Sequence, residues 1–100
     1  MKDLARIFKA LSDPTRLRLV QLLAEQGKGG ALCVGALAVA LGVSPSAISQ
    51  HLAVLRSAGL VIDERRGYFV HYRLDRGRLA AGADRMRTLL VGEATEIAAG

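Results

Sequence analysis

Residues 32–60 read LCVGALAVALGVSPSAISQHLAVLRSAGL, a stretch that leaves few ways to fold. Two short apolar-periodic segments meet at a Gly42-Val43-Ser44 corner. In the first, Val34, Leu37, Ala38 and Leu41 recur at helical spacing, and Gly42 supplies the left-handed backbone that stops a helix. Ser44 offers a side-chain oxygen to the next helix, and Pro45 takes its first position, where no N–H is needed. In that second helix Ile48, Leu52 and Leu55 line one face, and Gly59 ends it. The opposite face carries Ser46, Ser49, Gln50 and Ser57, with small Ala53 between them. These are hydrogen-bonding groups on short stems, with no carboxylate among them. The pattern predicts a helix-turn-helix whose second helix can enter a major groove.

An ordinary helical hairpin with serines facing water would show the same apolar spacing. It would not explain why no Asp or Glu occurs from Gln26 to Ile62, since surface helices usually mix both signs. A face that meets phosphate excludes carboxylates. The whole chain leans the same way: its formal charge is +5 and its pI about 10.1, with Arg far outnumbering Lys. A small, Arg-rich, basic domain points to nucleic acid first and to an anionic membrane surface second. Aromatics make up 4% of the residues and Trp is absent, which disfavours a base-stacking single-strand binder. No apolar run approaches the ~20 residues that span a bilayer, and the start of the chain is amphipathic rather than signal-like.

Outside this core the chain has no repeat, low-complexity tract or long linker, so residues 1–100 read as a single domain. Leu4, Ile7, Phe8 and Leu11 make a short amphipathic first helix. Asp13 at the N-cap and Pro14 at the first position start a second helix running to Gln26, with Leu17, Val20, Leu23 and Ala24 as its expected buried face. Gly27 to Gly30 is a flexible loop. After Gly59 the apolar period changes from 3.6 to 2. Leu60 to Arg66 and Tyr68 to Leu74 flank Gly67, which predicts a β-hairpin with Arg65 and Arg66 at its tip. Arg76 to Ala98 forms the last helix, capped by Asp75, with Leu79, Ala83, Met86, Leu90 and Ile97 in a stripe. The fold class is thus mainly α with a β-hairpin: a winged helix-turn-helix in the order α-α-α-α-β-β-α.

That stripe, with Leu4, Ile7 and Phe8 of the first helix, offers a surface for a twofold partner. A homodimer would present two reading helices to pseudo-palindromic half-sites. The residues expected at DNA are Ser44, Ser46, Ser49, Gln50, His51 and Arg56 of the helix-turn-helix, together with Arg65 and Arg66 of the wing. A solvated turn is the alternative reading of the last two. His51 reads equally as a phosphate contact or as a packed helix residue.

The chain resembles the ArsR/SmtB family of small bacterial winged-helix repressors. The resemblance is carried by FKALSDPTRLR (8–18), LCVG (32–35), SPSAISQHL (44–52), LRSAGLV (55–61) and the wing RGYFVHYRL (66–74). It covers about Leu4 to Leu74, while the last helix agrees only in place and pattern. It implies a homodimer joined by the first and last helices, repressing an operator near its own promoter until an effector binds.

The family's metal chemistry does not carry over. Members that sense arsenite or soft metals typically have ELCVCDL at the third helix; here ALCVGAL puts Gly35 where the second thiolate should be. The zinc-sensing variety places histidines on the last helix, which here has none. One thiolate cannot hold a soft ion that wants three or four N/S ligands, so neither a metal nor any other cofactor is expected. Cys33, the only cysteine, permits no intrachain disulfide and suits a reducing cytoplasm. It reads as a small half-buried residue at a helix start or, alternatively, as a single-thiol redox switch through which an oxidant releases DNA. His71 reads as a surface residue of the wing.

An enzyme is not expected. The two histidines and the cysteine lie in segments committed to the fold, with no phosphate loop or paired-carboxylate motif. The remaining alternative is a winged helix used as a protein-interaction module. Such a module would carry apolar or acidic groups on the outer face of the second helix, where this chain has Ser and Gln.

Overall fold

The computed structural model describes residues 2–27 and 29–92. The elements run α1 (Lys2–Ala10), α2 (Pro14–Glu25), β1 (Leu32–Cys33), α3 (Val34–Leu41), α4 (Pro45–Ser57), β2 (Val61–Arg66), β3 (Phe69–Leu74) and α5 (Arg76–Val91). This is the winged helix-turn-helix order with one addition. The two-residue β1 joins the hairpin, giving an antiparallel sheet in the order β1-β3-β2, with Leu32 opposite Tyr72 and Cys33 opposite His71. Two residues carry too little alternation to announce a strand. Its existence depends on the free edge that β3 presents.

The helices start and stop where local chemistry directs. Asp13 caps α2 by accepting from the Thr15 and Arg16 N–H groups at 2.9 and 3.1 Å. Ser44 caps α4 by accepting from Ala47 at 3.1 Å, and Asp75 caps α5 by accepting from Arg78 at 3.0 Å. At the end of α3, Gly42 sits at φ +65 and the Val43 N–H turns back to the Ala38 carbonyl at 3.1 Å. At the end of α4, Gly59 sits at φ +79 while Leu60 and Gly59 donate to the Leu55 and Arg56 carbonyls, both at 2.9 Å. That closure returns the chain into the core at Leu60.

The core gathers one face of each helix. Leu19, Leu23, Leu37, Ile48, Leu52, Leu55 and Leu60 are each at most 1% exposed, and Ile7, Ala10, Val61 and Leu74 close around them. The expected faces of α3 and α4 are those observed. On α2 the face differs: Leu19 and Leu23 are buried, whereas Leu17 is 50% exposed and Ala24 is also outside. Apolar residues occur on nearly every side of this helix, so periodicity cannot choose among stripes, and the approach of α3 and α4 decides. On α1, Ala10 joins Leu4 and Ile7 inside, leaving Phe8 38% exposed.

The hairpin turns through Gly67 and Tyr68, with Arg66 opposite Phe69. Arg65 and Arg66 therefore belong to β2 rather than to the turn, and Tyr68 at the tip is 97% exposed. Helix α5 is described to Val91, so the expected continuation to Ala98, with Ile97, lies outside the described residues. Among the described residues, no single helix is long and apolar enough to cross a membrane.

Gly59 meets a second demand besides its positive φ. A Cβ there would lie 2.6 Å from the Arg78 side chain, which crosses over it from α5. Gly59→Ala is expected to lower stability by about 1–3 kcal/mol in denaturant melts. Adding Arg78→Ala should recover only the steric part and leave the backbone strain.

Candidate nucleic-acid interface

Helices α3 and α4 meet at 110°, within the range of helix-turn-helix pairs. Because Ile48, Leu52 and Leu55 face the core, the 3.6 period turns Ser46, Ser49, Gln50, Ala53 and Ser57 outward, and all five are exposed. Among the described residues the side chains of Ser46, Ser49 and Gln50 make no hydrogen bond within the chain, so their donors and acceptors remain available. Ser44 also lies at this surface, but its oxygen is committed to capping α4.

His51 sits at the edge of this face in a small network. Its Nδ1 lies 3.2 Å from Arg16 Nη1 and 3.9 Å from Asp13 Oδ2. The two contacts ask for opposite protonation states. The shorter one, from a guanidinium that can only donate, assigns a lone pair to Nδ1 and the proton to Nε2. Arg16 also donates from Nε to the Ala10 carbonyl at 2.6 Å, so it joins the end of α1 to α4. His51 is accordingly packed against α2, with 22% of its side chain exposed. The backbone N–H of Arg16 holds the Asp13 carboxyl below its usual range, against partial burial and helped by the Thr15 N–H and the Arg16 charge.

The cations expected at DNA differ in their surroundings. Arg56 Nη1 lies 3.1 Å from Asp63 of β2. Arg66 Nη2 lies 2.7 Å from Glu64, which also faces Arg73 Nε at 3.7 Å. The Arg66 hydrogen bond holds the Glu64 carboxyl below its ordinary value. Among the described residues Arg65 has no such carboxylate partner. The Arg66–Glu64 pairing had a sequence signal, since residues two apart on a strand share a face.

Cys33 ends β1 and caps α3 without using its side chain. It is half-buried opposite His71, whose buried Nδ1 has no hydrogen-bond partner. Among the described residues no three His, Cys, Asp or Glu side chains converge on one point, and Gly35 is exposed with open space around it. This donor set does not fit the soft-metal or zinc sites of the resembling family.

On the far side, Leu4, Asp84, Arg85, Thr88 and Leu89 line an apolar groove of about 360 Å³ between α1 and α5. Beside it Leu90 and Val91 are 71% and 78% exposed. Of the expected interface, Leu4 and Ile7 are buried within the chain, Leu79 and Met86 are half-buried, and Phe8, Ala83 and Leu90 face outward.

Residues 13–63 match the family described as bacterial regulatory protein, arsR family. The arsenical resistance operon repressor of Escherichia coli K12 is 51% identical over 69 residues, 69% of this chain and 56% of that protein. The chain therefore spans little more than half the length of that curated relative. Among solved structures, an ArsR-like transcriptional regulator from Rhodococcus sp. RHA1 is 34% identical, with a TM-score of 0.73, covering 88% of this chain and 79% of that one. A homodimeric winged helix-turn-helix DNA-binding domain from Mycobacterium bovis is 32% identical with a TM-score of 0.69, covering 95% and 88%.

The Asp13 cap has a pH signature. A depressed carboxylate stabilises the fold above its ordinary value near 3.8, and that contribution is lost as pH falls through the lower folded value. Asp13→Ala should therefore lower Tm at neutral pH. The gap from wild type should close as both proteins are melted at pH values progressively below 3.8.

Proposed function

The chain belongs to the arsR family of bacterial regulatory proteins, winged helix-turn-helix transcription regulators that are not enzymes, and from that premise we propose that it represses transcription as a homodimer bound to a pseudo-palindromic operator. One observation carries this reading. The exposed face of α4 presents Ser46, Ser49 and Gln50 with unspent hydrogen-bonding groups on a helix whose back is buried. Gln can address a base edge in two directions, and Ser serves several edges. A protein-interaction module would be expected to carry large apolar or acidic groups on this face, where this chain has Ser, Gln and small Ala53. In this reading residues 1–100 act as one DNA-binding domain, working on DNA in the cytoplasm.

Arg65 lies at the wing end and reaches backbone or minor groove, while Arg66 and Arg56 reach phosphate by exchanging a carboxylate partner for it. The second subunit covers the groove between α1 and α5, bringing Phe8, Leu90 and Val91 out of water. The M. bovis neighbour, a homodimer, supports dimerisation. Cys33 packs at the β1–α3 junction, and release of DNA does not run through the family's metal sites.

A gel shift on the protein's own upstream region, repeated with arsenite, zinc and peroxide, tests the reading; no sequence preference would sink it. Gln50→Ala should cost about 1–3 kcal/mol at one base position and narrow the gap between operator and scrambled duplex. Leu90→Asp would bury an unpaired charge at the dimer surface, and sedimentation should report monomers with lost high-affinity binding.

A further inference from the structure

Resting on the DNA-binding reading, we propose that a basic groove between α1 and α4 is a second DNA contact, gripping the phosphate backbone beside the bases that α4 addresses. Arg6, Lys9, Ala10, Arg16, Ala53, Val54 and Ser57 line this groove of about 500 Å³. Ala53 and Ser57 belong to the same face of α4 as Ser46, Ser49 and Gln50, so the groove continues the reading surface rather than standing apart from it. Its other wall is α1, where Arg6 and Lys9 stand one turn apart and exposed.

Charge selects the occupant. Three cations line the groove and no carboxylate does. The arginines of the hairpin side are largely spent: Arg56 on Asp63, Arg66 and Arg73 on Glu64. Among the described residues Arg6 and Lys9 have no carboxylate within 4.0 Å, so a phosphate there displaces only water. Asp3, one turn before Arg6, lines a different groove, between α1 and α5. Arg16 forms the floor and acts as a positioning residue. Its guanidinium is held by the Ala10 carbonyl and His51, fixing the end of α1 against α4 and so fixing the width of the groove.

The grip is sequence-independent and adds affinity without discrimination. Two phosphates per subunit make four per dimer, each contributing about 0.9 to the slope of log affinity against log salt. The test uses a duplex that the wild-type protein selects from a random-sequence pool. Arg6→Gln combined with Lys9→Gln should lower the salt slope by roughly 3 to 4 and weaken binding to selected and scrambled duplexes alike, leaving their ratio unchanged. Arg6→Lys with Lys9→Arg should restore the slope. Because α1 also lies at the proposed dimer surface, a measurement on the unaltered protein accompanies the variants: duplex should protect the Lys9 amine from acetylation. An unprotected Lys9 with an unchanged slope in the variant overturns the groove as a DNA contact. Protection of Lys9 by inorganic phosphate but not by duplex also overturns it, and points to a small anion. If the wild-type protein selects no sequence at all, it is the repressor reading that fails.

Discussion

The back of α4 sets the terms for everything on its front. Ile48, Leu52 and Leu55 are buried against Leu19, Leu23, Leu37 and Leu60, each at most 1% exposed. Burying a side chain of that size contributes about 1.5–3 kcal/mol, so a rotation exposing all three would cost several kcal/mol. The helix has one permitted orientation, and its hydroxyl and amide groups are outward because nothing else is compatible with the core. Caps at Ser44 and Gly59 fix the ends of the helix. A surface with little packing of its own is thereby held still, which is what reading an array of base edges requires.

Charge is sorted around this fixed helix. Two successive carboxylates on β2 point to opposite faces: Asp63 engages Arg56, and Glu64 engages Arg66 and Arg73. Their exposed pairs add little to stability, but they decide where unpaired positive charge remains. Among the described residues, Arg65 on the hairpin side and Arg6 and Lys9 on α1 are among the cations left without a carboxylate partner. The polar face of α4 lies between, bordered by cations and interrupted by no carboxylate.

The outer helix touches both ends of the arrangement. Arg76 of α5 donates to the Ala24 and Gly27 carbonyls at 3.1 and 2.8 Å, closing the end of α2. Two residues later, Arg78 crosses Gly59 at the end of α4. The start of α5 is thus tied to the ends of both α2 and α4. Under the proposed function, a dimer built on α1 and α5 would set the spacing of two α4 helices through these packed contacts rather than through a linker.

By itself the sequence determined what obeys local rules. The helix-turn-helix followed from period, caps and glycines between Val34 and Gly59, and the wing followed from the change to period 2. The outward face of α4 was legible because its apolar face admitted only one choice. Tertiary structure decided what depends on neighbours distant in sequence. Strand β1 exists because β3 offered an edge to Leu32 and Cys33. Leu19 rather than Leu17 is buried because α2 is apolar on most sides and its partners chose among them. His51 faces inward because Arg16, 35 positions earlier, lies 3.2 Å away. Arg6 and Lys9 form one wall of a groove with Ala53 and Ser57 because the core brings α1 beside α4, a juxtaposition no local pattern encodes.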